Sequence, residues 1–190
     1  MTPGRSVERT VLRKGRKYSF EVVRFEGAGG RTLEHEVVRH PGSVTVLPLL
    51  DDPARGRCAV LIENERIAVG ETLVELPAGT MDKPGEPAEK AAARELEEET
   101  GYRAGSVRRL GGFYTTPGLT DEWMEAFVAE ELTPVGQRLE ADERITVRIV
   151  RVPEALAMVE EGRIRDAKTA LVLLWAARLG LLERGGSPTI

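Results

Sequence analysis

One segment, residues 87–100, decides most of what this chain can fold into. It is rich in Ala, Glu, Leu and Arg, carries Pro87 at its first turn and stops at Gly101, where a left-handed C-terminal cap suits glycine. The segment reads as a helix with Ala92, Ala93 and Leu96 as its buried stripe. Strand-forming segments lie on both sides of it. Residues 44–50 and 57–63 precede it, separated by Asp51-Asp52-Pro53-Ala54-Arg55-Gly56, which supplies turn chemistry. Residues 107–113, 123–130 and 145–152 follow. A helix enclosed by strands predicts a mixed α/β sandwich. Two further helices are expected, from Pro153 to near Gly162 and from about Asp166 to Leu182. The apolar face of the last one, with Leu171, Leu174, Trp175 and Leu179, is assigned to the core.

Ahead of this lies a different region. Residues 18–25 and 32–39 show partial alternation about Gly27-Ala28-Gly29-Gly30, which predicts a β-hairpin. The expected organisation is therefore an N-terminal β-hairpin extension over residues 1–43 and a main domain over 44–190. A formal charge of -4 gives no global reason to expect nucleic acid as a partner, so any phosphate must be bound locally. The longest apolar stretch, residues 170–177, is far short of the roughly 18 residues needed to cross a bilayer. With no signal-like N-terminus and the single cysteine Cys58, the expectation is a cytoplasmic protein with no membrane partner.

The chemistry is concentrated in Arg94-Glu95-Leu96-Glu97-Glu98-Glu99-Thr100-Gly101. Glu95, Glu98 and Glu99 stand at i, i+3 and i+4 and share a helix face. Carboxylates so placed repel one another unless a cation is present. Oxygen ligands select hard ions, and Mg²⁺ takes few carboxylates while bridging to substrate phosphates. The competing reading is a solvated acidic face with Arg94 and Glu98 as an i,i+4 pair. Upstream, Glu75-Leu76-Pro77-Ala78-Gly79 could turn a backbone carbonyl toward the same ion.

With Gly79, Glu86, Arg94, Glu95, Leu96, Glu98, Glu99, Gly101 and Tyr102, the sequence resembles the Nudix hydrolases. One feature departs from their pattern: six residues rather than five separate Gly79 from Glu86. An insertion in a loop containing Pro84 and Gly85 leaves the register of the helix untouched. The resemblance implies a Nudix α/β/α sandwich with a mixed central sheet. It also implies that Glu95, Glu98 and Glu99, with the Ala78 carbonyl, hold Mg²⁺ or Mn²⁺, Glu98 being counted among the catalytic carboxylates as well. Arg94 and Glu86 would tie loop to helix.

Thr115-Thr116-Pro117-Gly118 and Arg66-Ile67-Ala68-Val69-Gly70 are similar to segments of the ADP-ribose pyrophosphatase subfamily. That likeness implies hydrolysis of ADP-ribose to AMP and ribose 5-phosphate by a homodimer built through the N-terminal hairpin. Arg66 is then a candidate phosphate clamp, its alternative being a salt bridge with Glu63 or Glu65. The subfamily usually has Gln where Asn64 stands. Glu75 and Glu122 are candidates for ribose hydroxyls or water, and Arg39 for reaching substrate from the dimer partner. By resemblance the general base lies in Glu140-Ala141-Asp142-Glu143, with Glu143 preferred over Glu140. Rival readings are another nucleoside diphosphate derivative, such as a nucleotide sugar, NADH, coenzyme A or a dinucleoside polyphosphate, and a non-catalytic ADP-ribose-binding module. His35, His40, Ser43 and Cys58 are assigned no catalysis.

Overall fold

A computed structural model describes residues 7–141 and 143–183. In chain order the strands and helices are β1 (Val7–Lys14), β2 (Ser19–Glu26), β3 (Thr32–Arg39), β4 (Ser43–Asp52), β5 (Gly56–Arg66), β6 (Glu71–Glu75), β7 (Ala78–Thr80), α1 (Ala88–Thr100), β8 (Tyr102–Arg103), β9 (Ser106–Tyr114), β10 (Trp123–Glu130), β11 (Thr133–Pro134), β12 (Ile145–Arg151), α2 (Val152–Glu160) and α3 (Ala167–Arg178). Two compact units result. One gathers the chain up to Gly42 with Phe113–Met124, and the other holds Ser43–Gly112 with the chain from Glu125 onward.

The first unit is built on three antiparallel strands in the order β1-β2-β3 rather than on a two-stranded hairpin. The sequence reading missed β1 because Val7 alone of its eight residues is even half-buried, so no apolar alternation marks it. The predicted turn between β2 and β3 is present, tightened into a 3-10 turn at Ala28–Gly30.

The second unit carries a mixed seven-stranded sheet, β12-β5-β4-β10-β9, with β6 added to β5 and β7 to β4. Residues 43–49 of β4 are buried one after another, as a strand covered on both faces must be. Val44 and Val46 pack with Ala91, Ala92 and Leu96 of α1 and with Phe127 and Ala129 of β10. Thr45, Leu47 and Leu49 alternate to the opposite face, and α3 also contacts β4. The α/β sandwich expected from the sequence is the one observed.

α1 closes as expected, with Gly101 in the left-handed region at φ 73° and its N–H on the Glu97 carbonyl. Its buried stripe is not the expected one. Ala93 is only half-buried, whereas Glu95 and Glu99 are buried with Ala91, Ala92 and Leu96. α3 also needs a correction: Leu171 and Leu174 are exposed, and Thr169, Val172, Leu173 and Ala176 form the core stripe. The segment Ala170-Leu171-Val172-Leu173-Leu174 is apolar all round, so its periodicity left the phase undetermined. Trp175 lies over Gly111 of β9, where a Cβ would come within 2.1 Å of the indole ring.

Candidate active site

Three elements of the second unit converge at the site: the strand end at residues 75–79, helix α1 and the loop leading to β12. Pro77 lacks an N–H, but its carbonyl accepts from the Val46 amide at 3.0 Å and the Thr45 hydroxyl at 3.1 Å, which pins the strand end against β4. The next residue, Ala78, donates its amide to Glu99 Oε2 at 3.0 Å. Gly79 lies where a Cβ would meet Glu95 Cδ at 2.0 Å and Oε1 at 2.1 Å. Only glycine leaves the Glu95 carboxylate its place. The fold thus brings Ala78 and Gly79 against Glu99 and Glu95, with the Ala78 amide rather than its carbonyl making the contact to the carboxylate.

The solvated-face reading fails for two of the three carboxylates, since Glu95 and Glu99 are buried. Burial, opposed by the Ala78 amide and the Arg66 charge and reinforced by the charges of Glu95 and Glu143, pushes the Glu99 carboxyl up to about 8. Glu95 is also raised, by burial first, with Arg94 opposing and Glu98 and Glu143 reinforcing. Both shifts place the Glu143 carboxylate within electrostatic reach of the helix carboxylates. Glu143 itself sits in a tight turn, where its carboxylate accepts from the Glu140 amide at 2.8 Å and its amide donates to the Glu140 carbonyl at 3.1 Å. Asp142 lies outside the described residues.

Arg94 is the hub of the acidic group. It makes two hydrogen bonds to Glu86, at 3.1 and 3.0 Å, and further ones to Glu95 at 2.7 Å and Glu98 at 2.9 Å. The loop-to-helix tie expected of Arg94 and Glu86 is therefore present despite the extra residue after Gly79. Among the described residues no three acidic, His or Cys side chains converge as a ready metal cage. Arg94 draws Glu95 and Glu98 to itself, while Glu99 turns to the Ala78 amide. The donor set nevertheless suits a hard divalent cation: it is all oxygen, has more acids than the one guanidinium balances, and leaves two buried carboxyls that a cation would help to ionise.

Beside it lies a second charged group. Arg66 grips Glu75 with two hydrogen bonds, at 2.7 and 2.6 Å, rather than pairing with Glu63 or Glu65, which take Arg148 and Arg144. Lys168 of α3, nearly buried, also donates to Glu75 and reaches Asp166 at 2.9 Å. Burial alone would raise the Glu75 carboxyl, but Arg66 and Lys168 outweigh it and hold the group below its ordinary value. Nothing in the sequence marked Lys168, because a lysine at a helix start reads as surface. Gln137, in the loop between β11 and β12, went unmarked because its partner lies 38 residues away in the chain. Its amide donates to the Glu99 carbonyl at 2.6 Å and satisfies one of the carbonyls that the end of α1 leaves open.

Arg39 and Glu122 belong to the first unit. There Arg39 hydrogen-bonds Asp121 and, at 3.2 Å, Glu21. Glu122 accepts from the Thr115 hydroxyl at 2.6 Å and lies 3.6 Å from His40, whose ring stacks on Tyr18.

Residues 39–171 match the NUDIX domain. The chain belongs to the Nudix family. It is 37% identical over 176 residues to an ADP-ribose pyrophosphatase of Bacillus subtilis (strain 168), covering 89% of this chain and 92% of that protein. It is 33% identical over 171 residues to the methanol dehydrogenase activator of Bacillus methanolicus, covering 89% and 90%. Identity to a GDP-mannose pyrophosphatase of Yersinia enterocolitica is 30% over 184 residues, with 88% and 89% covered. A crystal structure described as an ADP compounds hydrolase superposes with a TM-score of 0.79 over 96% of this chain and 97% of that one, at 21% identity, and so shares the Nudix fold.

Proposed function

We propose that this Nudix protein hydrolyses the pyrophosphate linkage of ADP-ribose, releasing AMP and ribose 5-phosphate. The observation that carries the reading is the burial of Glu95 and Glu99 against Gly79 and Ala78, within electrostatic reach of Glu143. Glu95, Glu98 and Glu99, with the Ala78 carbonyl, would hold Mg²⁺ or Mn²⁺. Such an ion, when bound, offsets the negative charge of a pyrophosphate and acidifies a water.

The protein's own groups supply the rest. Glu143 takes the proton of the attacking water as its oxygen bonds to phosphorus and the bridging P–O bond breaks, giving two monophosphates. Arg66 binds a non-bridging phosphate oxygen with the guanidinium edge that Glu75 leaves open, and Glu75 orients it. Arg39 and Glu122 would contribute to recognising the nucleoside or ribose. The three-stranded N-terminal sheet is the proposed homodimer surface, and a small nucleoside diphosphate compound, not nucleic acid or membrane, is the proposed partner. No helix among the described residues is long and apolar enough to cross a membrane, and a cytoplasmic location is proposed with it.

The likeness to GDP-mannose pyrophosphatases supports a second reading, in which a nucleotide sugar is the better substrate. A panel of ADP-ribose, GDP-mannose, NADH and coenzyme A, with products identified under Mg²⁺ and Mn²⁺, separates the two. AMP and ribose 5-phosphate at the highest kcat/KM support the proposal. Binding of ADP-ribose with no product from any member of the panel would instead indicate a non-catalytic module.

A further inference from the structure

We infer that Lys168, at the start of α3, is a positioning residue for substrate phosphate, acting through Glu75 on Arg66. Glu75 is only 1% exposed and is shared by two cations. Arg66 spends Nε and Nη2 on it, at 2.7 and 2.6 Å, while the Arg66 side chain stays 44% exposed. Lys168 takes Oε2 from the buried side.

Charge bookkeeping explains why a second cation is useful. Arg66 and Glu75 alone would cancel, and a phosphate approaching the guanidinium would meet the carboxylate's field undiminished. Lys168 draws directly on the same carboxylate and offsets that field, while Asp166, on the other side of Lys168, acts on Arg66 more weakly than Glu75 does. The open edge of Arg66 therefore keeps most of its attraction for a phosphate oxygen, although the group of four is neutral overall. A guanidinium gripped on two atoms is also fixed in plane, so little freedom remains to be lost on binding.

The Lys168 ammonium is itself held. Asp166 caps α3 by accepting from the Thr169 amide at 3.0 Å, and its carboxylate also takes Lys168 at 2.9 Å. The Thr169 hydroxyl accepts from the Leu76 amide at 2.8 Å, one residue beyond Glu75. The first turn of α3 thus grips the strand end at both a side chain and a backbone amide. It reaches that strand from 93 residues further along the chain.

This inference rests on the proposed phosphate-binding role of Arg66, and binding can be measured apart from turnover. The probe is an ADP-ribose analogue with a methylene in place of the bridging oxygen, titrated calorimetrically into wild type, Arg66→Ala, Lys168→Met and the double variant. Arg66→Ala and Lys168→Met should each weaken binding by about tenfold, and the double variant should bind no more weakly than Arg66→Ala. Unchanged binding by Lys168→Met, or losses that multiply in the double variant, would overturn the inference. If Lys168→Met does not fold, Lys168→Gln, which removes the charge and keeps a polar side chain beside Glu75, should show the same tenfold loss, and unchanged binding by it would likewise overturn the inference. Wild type that binds the analogue yet releases no AMP from ADP-ribose would end the hydrolase reading alone. Wild type that fails to bind the analogue would end both.

Discussion

Glu75 and Glu99 are the same residue type, at 1% and 3% exposure, in neighbouring parts of one unit, yet their carboxyls shift in opposite directions. Burial pushes both up. Glu75 sits between Arg66 and Lys168, with Asp166 completing a group of two anions and two cations, and it ends below its ordinary value. Glu99 receives one backbone amide and faces the charges of Glu95 and Glu143, and it ends near 8. The difference teaches which acidic cluster is part of the scaffold and which has room for a cation. A balanced buried group is complete as it stands. An unbalanced one raises both buried carboxyls, and Glu99, near 8, becomes fully ionised at neutral pH only when positive charge arrives.

The sharpest way to break the unbalanced side without unfolding it is Gly79→Ala. The new methyl would meet Glu95 at its flexible end, so the side chain must swing aside while the backbone stays. Turnover should fall by about a hundredfold, as for loss of one positioned group, with a thermal midpoint close to wild type. A large drop in the midpoint would mean that Gly79 serves packing rather than the site.

On the balanced side, Lys168→Met leaves Glu75 buried with one cation in place of two. We expect a loss of about 2 kcal/mol in urea unfolding, because Glu75 keeps Arg66 but loses a buried, charge-assisted hydrogen bond. A loss below about 1 kcal/mol would show that the group is solvated and not balanced.

The two carboxyls also predict opposite pH dependences for the metal-free protein. Glu99 binds its proton more tightly folded than unfolded, so its contribution to stability declines as pH rises from its ordinary value of 4.5 through about 8. Glu75 is lowered, so the stability it contributes is present above 4.5 and is lost as pH falls through its folded value. In thermal melts with chelator present, Glu99→Gln should flatten the decline on the alkaline side and leave the acid limb in place. An unchanged alkaline limb would mean that Glu99 is ionised without a cation. Smallest of all, Leu174→Glu on α3 should change stability by about 0.5 kcal/mol or less, since that leucine faces water.

The site was more legible in the sequence than its supports were. The residues from Gly79 through Gly101 could be read because their chemistry depends on spacing along one helix and one turn, which a sequence preserves. β1 could not be read, because a strand whose side chains are almost all exposed has no buried face to write into its pattern. The buried face of α3 was misplaced for the opposite reason, since apolar residues surround that helix. Lys168 and Gln137 escaped notice because their partners, Glu75 and Glu99, lie 93 and 38 residues away in the chain. Pairings of that kind are created by the fold alone.

The most direct test of the central claim is the initial rate of AMP release from ADP-ribose as Mg²⁺ is raised, for wild type and Glu99→Gln side by side. Wild type should show no release in chelator and a saturable rise with Mg²⁺, while Glu99→Gln stays folded and remains slower by about a hundredfold or more at saturation. Equal saturated rates for the two proteins, or full wild-type turnover in chelator, would contradict the account.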